Sequence, residues 1–290
     1  MIYDIRHVTL YRYDAPVTSA RCAISLAPAE GPDQRVIAHR LEVHPGAAAR
    51  TERVSFFGHR VVTARIDAPH HELRVEARSR VAVNRRRPPP TCPPWEHVRD
   101  EALTGRSLEP GSPVHYLGPS RLVPLLDAAT AYAAESLQPR RGVLEAAHEL
   151  ALRIRAEFRF DPGATQVTTP VAEAFEARHG VCQDFAQVML AALRGLGVPA
   201  AYVSGYLRTL PPPGRPRLEG ADATHAWVQV WCGREAGWVG LDPTNGVVVG
   251  DDHVVVAAGR DYADVSPIDG VIFGAGSQRL ETAVDVVPVR

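Results

Sequence analysis

The sequence predicts an α+β fold, with an N-terminal antiparallel β-sandwich-like unit followed by helices packed on an antiparallel sheet. Three observations carry this expectation. Residues 1–84 hold six short runs of alternating apolar and polar residues separated by turn signals, the pattern of half-buried strands. Residues 84–95 read Asn-Arg-Arg-Arg-Pro-Pro-Pro-Thr-Cys-Pro-Pro-Trp, and a run so rich in proline continues neither a sheet nor a helix. Beyond that boundary helical spacing comes first, and strand alternation returns only after residue 200, the order of an α+β unit. The expected division is a β domain at 1–84, a connecting segment at 85–121 and an α+β domain at 122–290.

The expected strands of the first part are 3–13, 21–27, 35–43, 51–57, 60–66 and 72–83, parted by Glu30-Gly31-Pro32-Asp33, His44-Pro45-Gly46 and Phe57-Gly58-His59. His70 and His71 are neighbours on a strand and so point to opposite faces, which argues against a joint metal role. Residues 123–136 and 143–158 repeat apolar positions at three-to-four spacing, as do Val143, Ala147, Leu150, Ala151 and Ile154. A short third helix at 171–178 starts after Thr169-Pro170. The fourth carries Phe185, Val188, Met189, Ala192, Leu193 and Leu196 on one stripe, and Gly195, Gly197 and Pro199 stop it. Strands follow at 200–207, 225–231, 237–241, 247–257 and 282–289, with a loop at Pro211-Pro212-Pro213-Gly214 and a turn at Asp242-Pro243-Thr244-Asn245-Gly246.

The 290 residues are 45% hydrophobic and 22% charged, enough apolar material for a substantial core. A net charge of −1 leaves no electrostatic footprint for nucleic acid or an anionic membrane. Arg85-Arg86-Arg87 beside the prolines reads as a solvated linker. No run approaches the length of a membrane span, and the first residues lack the apolar stretch of a secretory signal. The four cysteines are scattered, with no C-x-x-C pair, which argues against a zinc site or a disulfide framework and fits a reducing cytoplasm. No metal and no cofactor is expected.

The chemistry centres on Cys182. Gly180 allows a sharp turn just before the fourth helix, which puts Cys182 at its N-terminus, where free N–H groups and the positive dipole end favour a thiolate. A thiol nucleophile also needs an imidazole to share its proton and a group to orient that imidazole. His225 opens an alternating strand, and Asp242 ends the next one. Adjacent antiparallel strands bring two such side chains into hydrogen-bond range when the register allows. Taken singly, each has a structural reading: a small core cysteine, a strand-end histidine, an aspartate in a turn before proline. Asp184 is expected to cap the first helical turn. Arg260, Asp261 and Asp264 read as an ion-pair loop beside the site, with a substrate role as the alternative.

Four segments carry a resemblance: Gly180-Val181-Cys182-Gln183-Asp184-Phe185-Ala186, Tyr202-Val203-Ser204-Gly205-Tyr206, His225-Ala226-Trp227-Val228 and Gly237-Trp238-Val239-Gly240-Leu241-Asp242-Pro243-Thr244. They resemble the core motifs of the bacterial transglutaminase-like superfamily, whose site is similar to that of papain-type cysteine proteases. Asp161-Pro162-Gly163-Ala164-Thr165 and Ala258-Gly259-Arg260-Asp261-Tyr262-Ala263-Asp264-Val265 match the same subgroup. Residues 1–84 look like its β-rich N-terminal domain. The resemblance implies a papain/transglutaminase-like core, with Cys182 as nucleophile, His225 as general base and acid, and Asp242 as the orienting carboxylate.

The reaction this implies is attack of the Cys182 thiolate on a carboxamide or peptide carbonyl of a peptide or protein substrate, giving a thioester that water or an amine resolves. The backbone N–H of Cys182 is one oxyanion donor. Gln166 is a candidate for the second, set against the reading of an ordinary loop residue. Trp227, Trp238 and Tyr206 are candidates for a substrate groove, set against core packing. Hydrolysis by a cysteine peptidase or amidase is preferred over cross-linking of glutamine to lysine. The sequence lacks a D-x-[DN]-x-[DN]-G loop, and Gly250-Asp251-Asp252-His253 is too sparse for a calcium cage. A non-catalytic binding module is the alternative of another class.

Overall fold

The computed structural model describes residues 1–209, 222–274 and 276–289. The loop expected at 211–214 lies outside the described residues. The first strand is a single run, Ile2–Ile24, instead of separate strands at 3–13 and 21–27. Its polar middle, with Pro16, is absorbed as a register shift between Arg12 and Val17, the kind of irregularity that accommodates proline in a sheet. The first half of the strand pairs with His70–Val83 and Gln278–Pro288, the second half with Arg60–Ile66 and Ile268–Gly274. One shared strand thus bends a seven-stranded antiparallel sheet over on itself. Tyr13, Val17, Ile24, Leu41, Ile66 and Leu73 pack together inside the fold.

The last strands depart from the expected division. Ile268–Gly274 and Gln278–Pro288 hydrogen-bond to the first strand, so the end of the segment 122–290 lies in the N-terminal sheet. The connecting segment also holds a helix, Trp95–Thr104, that its proline-rich flank conceals.

The other half is built around the helix Cys182–Gly195. Its stripe predicts one buried face, yet every residue from Gln183 to Arg194 is buried. The helices Asp127–Ala134, Val143–Glu157 and Val171–Ala177 and the strands Ala200–Leu207 and Ala223–Trp231 all pack against it. Arg194 is tolerated inside because its guanidinium donates to the carbonyls of Ala200 and Arg260 and to Ser120 Oγ. Five antiparallel strands complete this half in the order Val247–Val248, Trp238–Asp242, Ala223–Trp231, Ala200–Leu207, His253–Gly259.

The two halves share one core. Tyr3, Ile5, Val81 and Val286 of the first sheet pack in the same cluster as Phe185, Tyr206 and Val228. Polar ties reinforce the seam: Tyr3 Oη donates to Asp252 Oδ1 at 2.7 Å, and Arg85 N–H donates to Asp251 Oδ1 at 2.8 Å. Arg85 also donates through its guanidinium to the carbonyl of His253 at 3.1 Å. The reading of a solvated arginine run therefore fails at Arg85, which is a tether between the halves. No described helix is long and apolar enough to cross a membrane.

Candidate active site

Cys182 is the first residue of its helix, after Val181 at the N-cap. The cap is closed from within the helix: Asp184 Oδ2 accepts the Val181 N–H at 2.8 Å and the Thr165 hydroxyl at 2.6 Å. This satisfies an amide that the helix start would leave unpaired. Gly180 makes the arrangement possible. Its φ is +155°, and a Cβ there would lie 2.5 Å from Asp184 Oδ2. The turn that presents the thiol and the carboxylate that holds the turn thus occupy space that only glycine leaves open.

His225 and Asp242 come from neighbouring strands. Leu241 lies opposite Val228, which places Asp242 beside Trp227 and within reach of His225. His225 Nε2 donates to Asp242 Oδ2 at 2.8 Å. With Nε2 committed, Nδ1 is the ring nitrogen left for Cys182, which lies close enough to raise the imidazole's affinity for its proton. The structure therefore brings the three expected residues together in the order sulfur, imidazole, carboxylate.

The carboxylate is the best-anchored member. Asp242 is fully buried, and its Oδ1 accepts the backbone N–H groups of Thr244 and Asn245 at 2.9 and 3.1 Å. Oδ2 also accepts Asn245 Nδ2 at 2.7 Å and His253 Nε2 at 3.1 Å. Burial alone would favour the neutral acid, but the His225 and His253 hydrogen bonds outweigh it and hold the carboxyl well below the usual range. For His225 burial disfavours the charged ring, while the hydrogen bonds to Asp242 and Cys182 raise it more, up to about 10.

His253 and Asn245 are site residues that the sequence reading passes over. Asn245 had a local signal, three residues after Asp242 in the turn. His253 had none, because its strand lies three places from that of Asp242 in the sheet. Sheet curvature and a missing side chain close the gap. A Cβ at Gly205, opposite His225, would lie 2.2 Å from the Val254 carbonyl and 2.4 Å from the Trp227 ring. Trp227 thereby packs behind both imidazoles, with ring centroids 6.1 Å from His225 and 5.3 Å from His253. The donor atoms of His225, Asp242 and His253 lie within 4.8 Å of one another, and in this structure both imidazoles spend theirs on the one carboxylate oxygen.

The other candidates separate. Gln166 is exposed, and its backbone N–H donates to Thr169 Oγ1 at 2.9 Å. Among the described residues its side chain makes no hydrogen bond to the Cys182 site. Gln183 instead ties that loop to the helix, donating to the Val167 carbonyl at 3.1 Å. Trp227 is wholly buried against Val203 and Val255, and with Trp238 it borders a cavity of about 390 Å³. Tyr206 is buried too, its hydroxyl 3.1 Å from His7 Nδ1. Trp238 is half-buried between Tyr116 and Trp231, with its indole N–H on the Gly111 carbonyl.

Known proteins resemble this chain in sequence and in fold. Residues 3–82 match the model of the bacterial transglutaminase-like N-terminal region, and residues 130–243 match that of the transglutaminase-like superfamily. An uncharacterized protein of Mycobacterium tuberculosis is 40% identical over 99% of this chain and 92% of its own length. The chain belongs to the transglutaminase-like superfamily. A second relative, an uncharacterized protein of Mycobacterium leprae, is 34% identical over 97% of this chain and 96% of its own length. A solved structure described as a candidate cysteine protease from Cytophaga hutchinsonii shares the fold. Its TM-score is 0.77 at 20% identity, covering 100% of this chain and 92% of that one. A protein-glutamine gamma-glutamyltransferase of Pseudomonas aeruginosa is 36% identical over 30% of this chain and 14% of its own length.

In this transglutaminase-like chain the Arg260 loop is structural. Arg260 forms a forked pair with Asp264 at 2.8 and 3.0 Å. Asp261 accepts the backbone N–H groups of Leu122 and Ala263. The loop thereby holds Tyr262 against Tyr202, ring centroids 6.2 Å apart. Burial first, and then the neighbouring Cys182, push the Tyr202 phenol well above its ordinary value, so a protonated hydroxyl sits near the thiol.

Proposed function

We propose that this chain is a thiol-dependent acyl-transfer enzyme acting on peptide or carboxamide bonds, and that water is its usual acceptor. The observation that supports this reading is the Asp242–His225–Cys182 chain at a helix N-terminus. The buried carboxylate keeps the ring charged and oriented, and the imidazolium gives a thiolate at Cys182 a counter-ion.

The sulfur of Cys182 attacks the carbonyl carbon, and the C=O electron pair moves to oxygen. The Cys182 backbone N–H, at the helix tip, stabilises that oxyanion. Collapse breaks the C–N bond as His225 passes its proton to the departing amine, leaving a thioester. Neutral His225 then takes a proton from water as the water attacks, and the carboxylic acid leaves with the thiolate restored. An amine in place of water gives a new amide by the same steps, the cross-linking alternative.

Incubation with a peptide library, with and without an added primary amine, tests the reading by mass spectrometry. Products of hydrolysis carry added water, and products of transfer carry the amine. No Cys182-dependent product in either arm would refute enzyme action and favour a binding role.

A further inference from the structure

The cavity of about 390 Å³ bordered by Trp227 and Trp238 lies between the five-stranded sheet and the proline-rich segment, which lines it with residues 85–89. Side chains alternate across a strand, so Trp227 and Gln229 share the face of His225. Gly240, opposite Gln229 in the register, shares the face of Asp242. Trp227, Gln229 and Gly240 all border the cavity, which therefore sits on the sheet face that carries the imidazole and the carboxylate.

The lining is cationic. Among the described residues Arg85, Arg86, Arg87 and Arg234 line it, against the carboxylates of Asp33 and Glu235. Arg86 takes Asp33 at 2.8 Å, and Arg234 pairs at 3.1 Å with Glu101, which is not part of the lining. Glu235 is exposed and pairs with no cation among the described residues. Arg85 and Arg87 are thus left with no carboxylate on their guanidinium groups. Arg85 spends Nη2 on two neutral acceptors, Gln34 Oε1 at 3.3 Å and the His253 carbonyl at 3.1 Å. Its Nε is buried with no hydrogen-bond partner. Burial pushes this guanidinium below the ordinary arginine value, and Asp33 and Asp251 raise it by less. Arg87 is exposed and has no hydrogen bond or ion pair among the described residues. A guanidinium does not shed its proton, so a half-buried one with an idle N–H gains most from an ionised acceptor.

The sheet side of the cavity is apolar, with Trp238, Val249 and Val255. The volume equals about thirteen waters at ~30 Å³ each, more than a carboxylate group occupies by itself. The remaining space, against apolar side chains, suits methylene groups.

We propose that this cavity binds a carboxylate carried on an apolar stem, held by Arg85 and Arg87 with the stem against Trp238 and the valines, and that it takes this group from a peptide, as a glutamate side chain or a C-terminus. The site is separate from the chemistry of Cys182 and holds whether or not the chain turns over a substrate. The net charge of the chain is −1, so no general attraction draws an acidic peptide to it, and binding of one reports a local cluster of cations.

The test is calorimetric titration of the Cys182→Ala protein, which keeps the probes intact. Three peptides are compared: acetyl-Ala-Glu-Glu-Ala-amide, acetyl-Ala-Ala-Ala-Leu with a free C-terminus, and the neutral acetyl-Ala-Gln-Gln-Ala-amide. At low ionic strength one of the two carboxylate peptides should bind about tenfold more tightly than the neutral one, the size of a hydrogen bond to a charged group. Which of them binds identifies the source of the carboxylate. Added salt should weaken the binding. Arg87→Glu, at an exposed position, should weaken it by about tenfold or more, and Arg87→Lys, which keeps the charge, by less, with circular dichroism reporting the fold. No advantage for either carboxylate peptide, or an advantage that Arg87→Glu leaves unchanged, overturns the site. Displacement of the bound peptide by an equal concentration of inorganic phosphate overturns the assignment to a carboxylate on a stem.

Discussion

Replacing Asp242 by Asn tests the electrostatics of the site without needing a substrate. In the wild type the His225 ring is 8% exposed, and burial works against its charge, yet it is pushed up to about 10. Against an ordinary histidine value of about 6.5, the gap is about 3.5 pH units, of order 5 kcal/mol of preference for the imidazolium at ~1.4 kcal/mol per unit. Asp242 makes the largest raising contribution. Asn keeps the shape and one acceptor oxygen but removes the charge, so burial regains the upper hand and the ring should titrate about two pH units lower or more. The measurement is the ¹³Cε1 shift of labelled histidine between pH 5 and 11, with His225→Gln to assign the resonance. Stability should follow. The folded value of His225 lies above the unfolded one, so its contribution is full below about 6.5 and lost as pH rises through about 10. The urea midpoint of the wild type should therefore fall across that window, and Asp242→Asn should flatten the fall. A wild-type ring titrating near 6.5, or an unchanged titration in the Asn variant, would refute the reasoning.

Other outcomes follow from the same geometry. Cys182→Ala should abolish turnover while thermal unfolding moves little, because the sulfur is only partly buried at the helix tip. Gly205→Ala should cost about 1–3 kcal/mol or more in urea unfolding, since its Cβ meets a backbone carbonyl and the Trp227 ring. It should slow Cys182 alkylation as well, because Trp227 backs His225. His253→Leu removes one charge-assisted hydrogen bond from Asp242, worth about 1.5–3 kcal/mol of stability. His253→Gln, which keeps a donor, should recover part of the loss and of the alkylation rate.

The parts of the fold legible in the sequence are those fixed by local periodicity. The helix from Cys182 announces itself by its stripe and its terminal glycines, and its end at Gly195 follows. The strands carrying His225 and Asp242 alternate cleanly, and their adjacency places the two side chains in one pair. Illegible features depend on residues far apart in the chain. Nothing near Gln278 shows that its strand closes on Tyr13, 265 positions away by sequence number. The polar run at Asp14 to Pro16 reads as a strand end because propensity is local, whereas the partner strands on either side hold it extended. His253 is hidden for the same reason, since only the curl of the sheet across Gly205 brings its Nε2 to Asp242.

Arg85 shows the limit of reading charge as solvation. Its backbone and guanidinium find Asp251 and the His253 carbonyl, so an arginine of the proline-rich segment anchors the strand whose His253 donates to the buried Asp242 carboxylate. The same strand thus joins the seam between the halves to the site. The two ends of the chain meet in one sheet, and that sheet forms one wall of a cavity shared with Thr224 and Tyr262. In this fold the β half cannot be a detachable appendage: the strand that begins the chain contributes to the shared core through Tyr3 and Ile5 and to the cavity through His7, Thr9 and Tyr11. Side-chain alternation along a single strand assigns all five residues to one face, so packing of the two halves and shaping of the cavity are consequences of the same register.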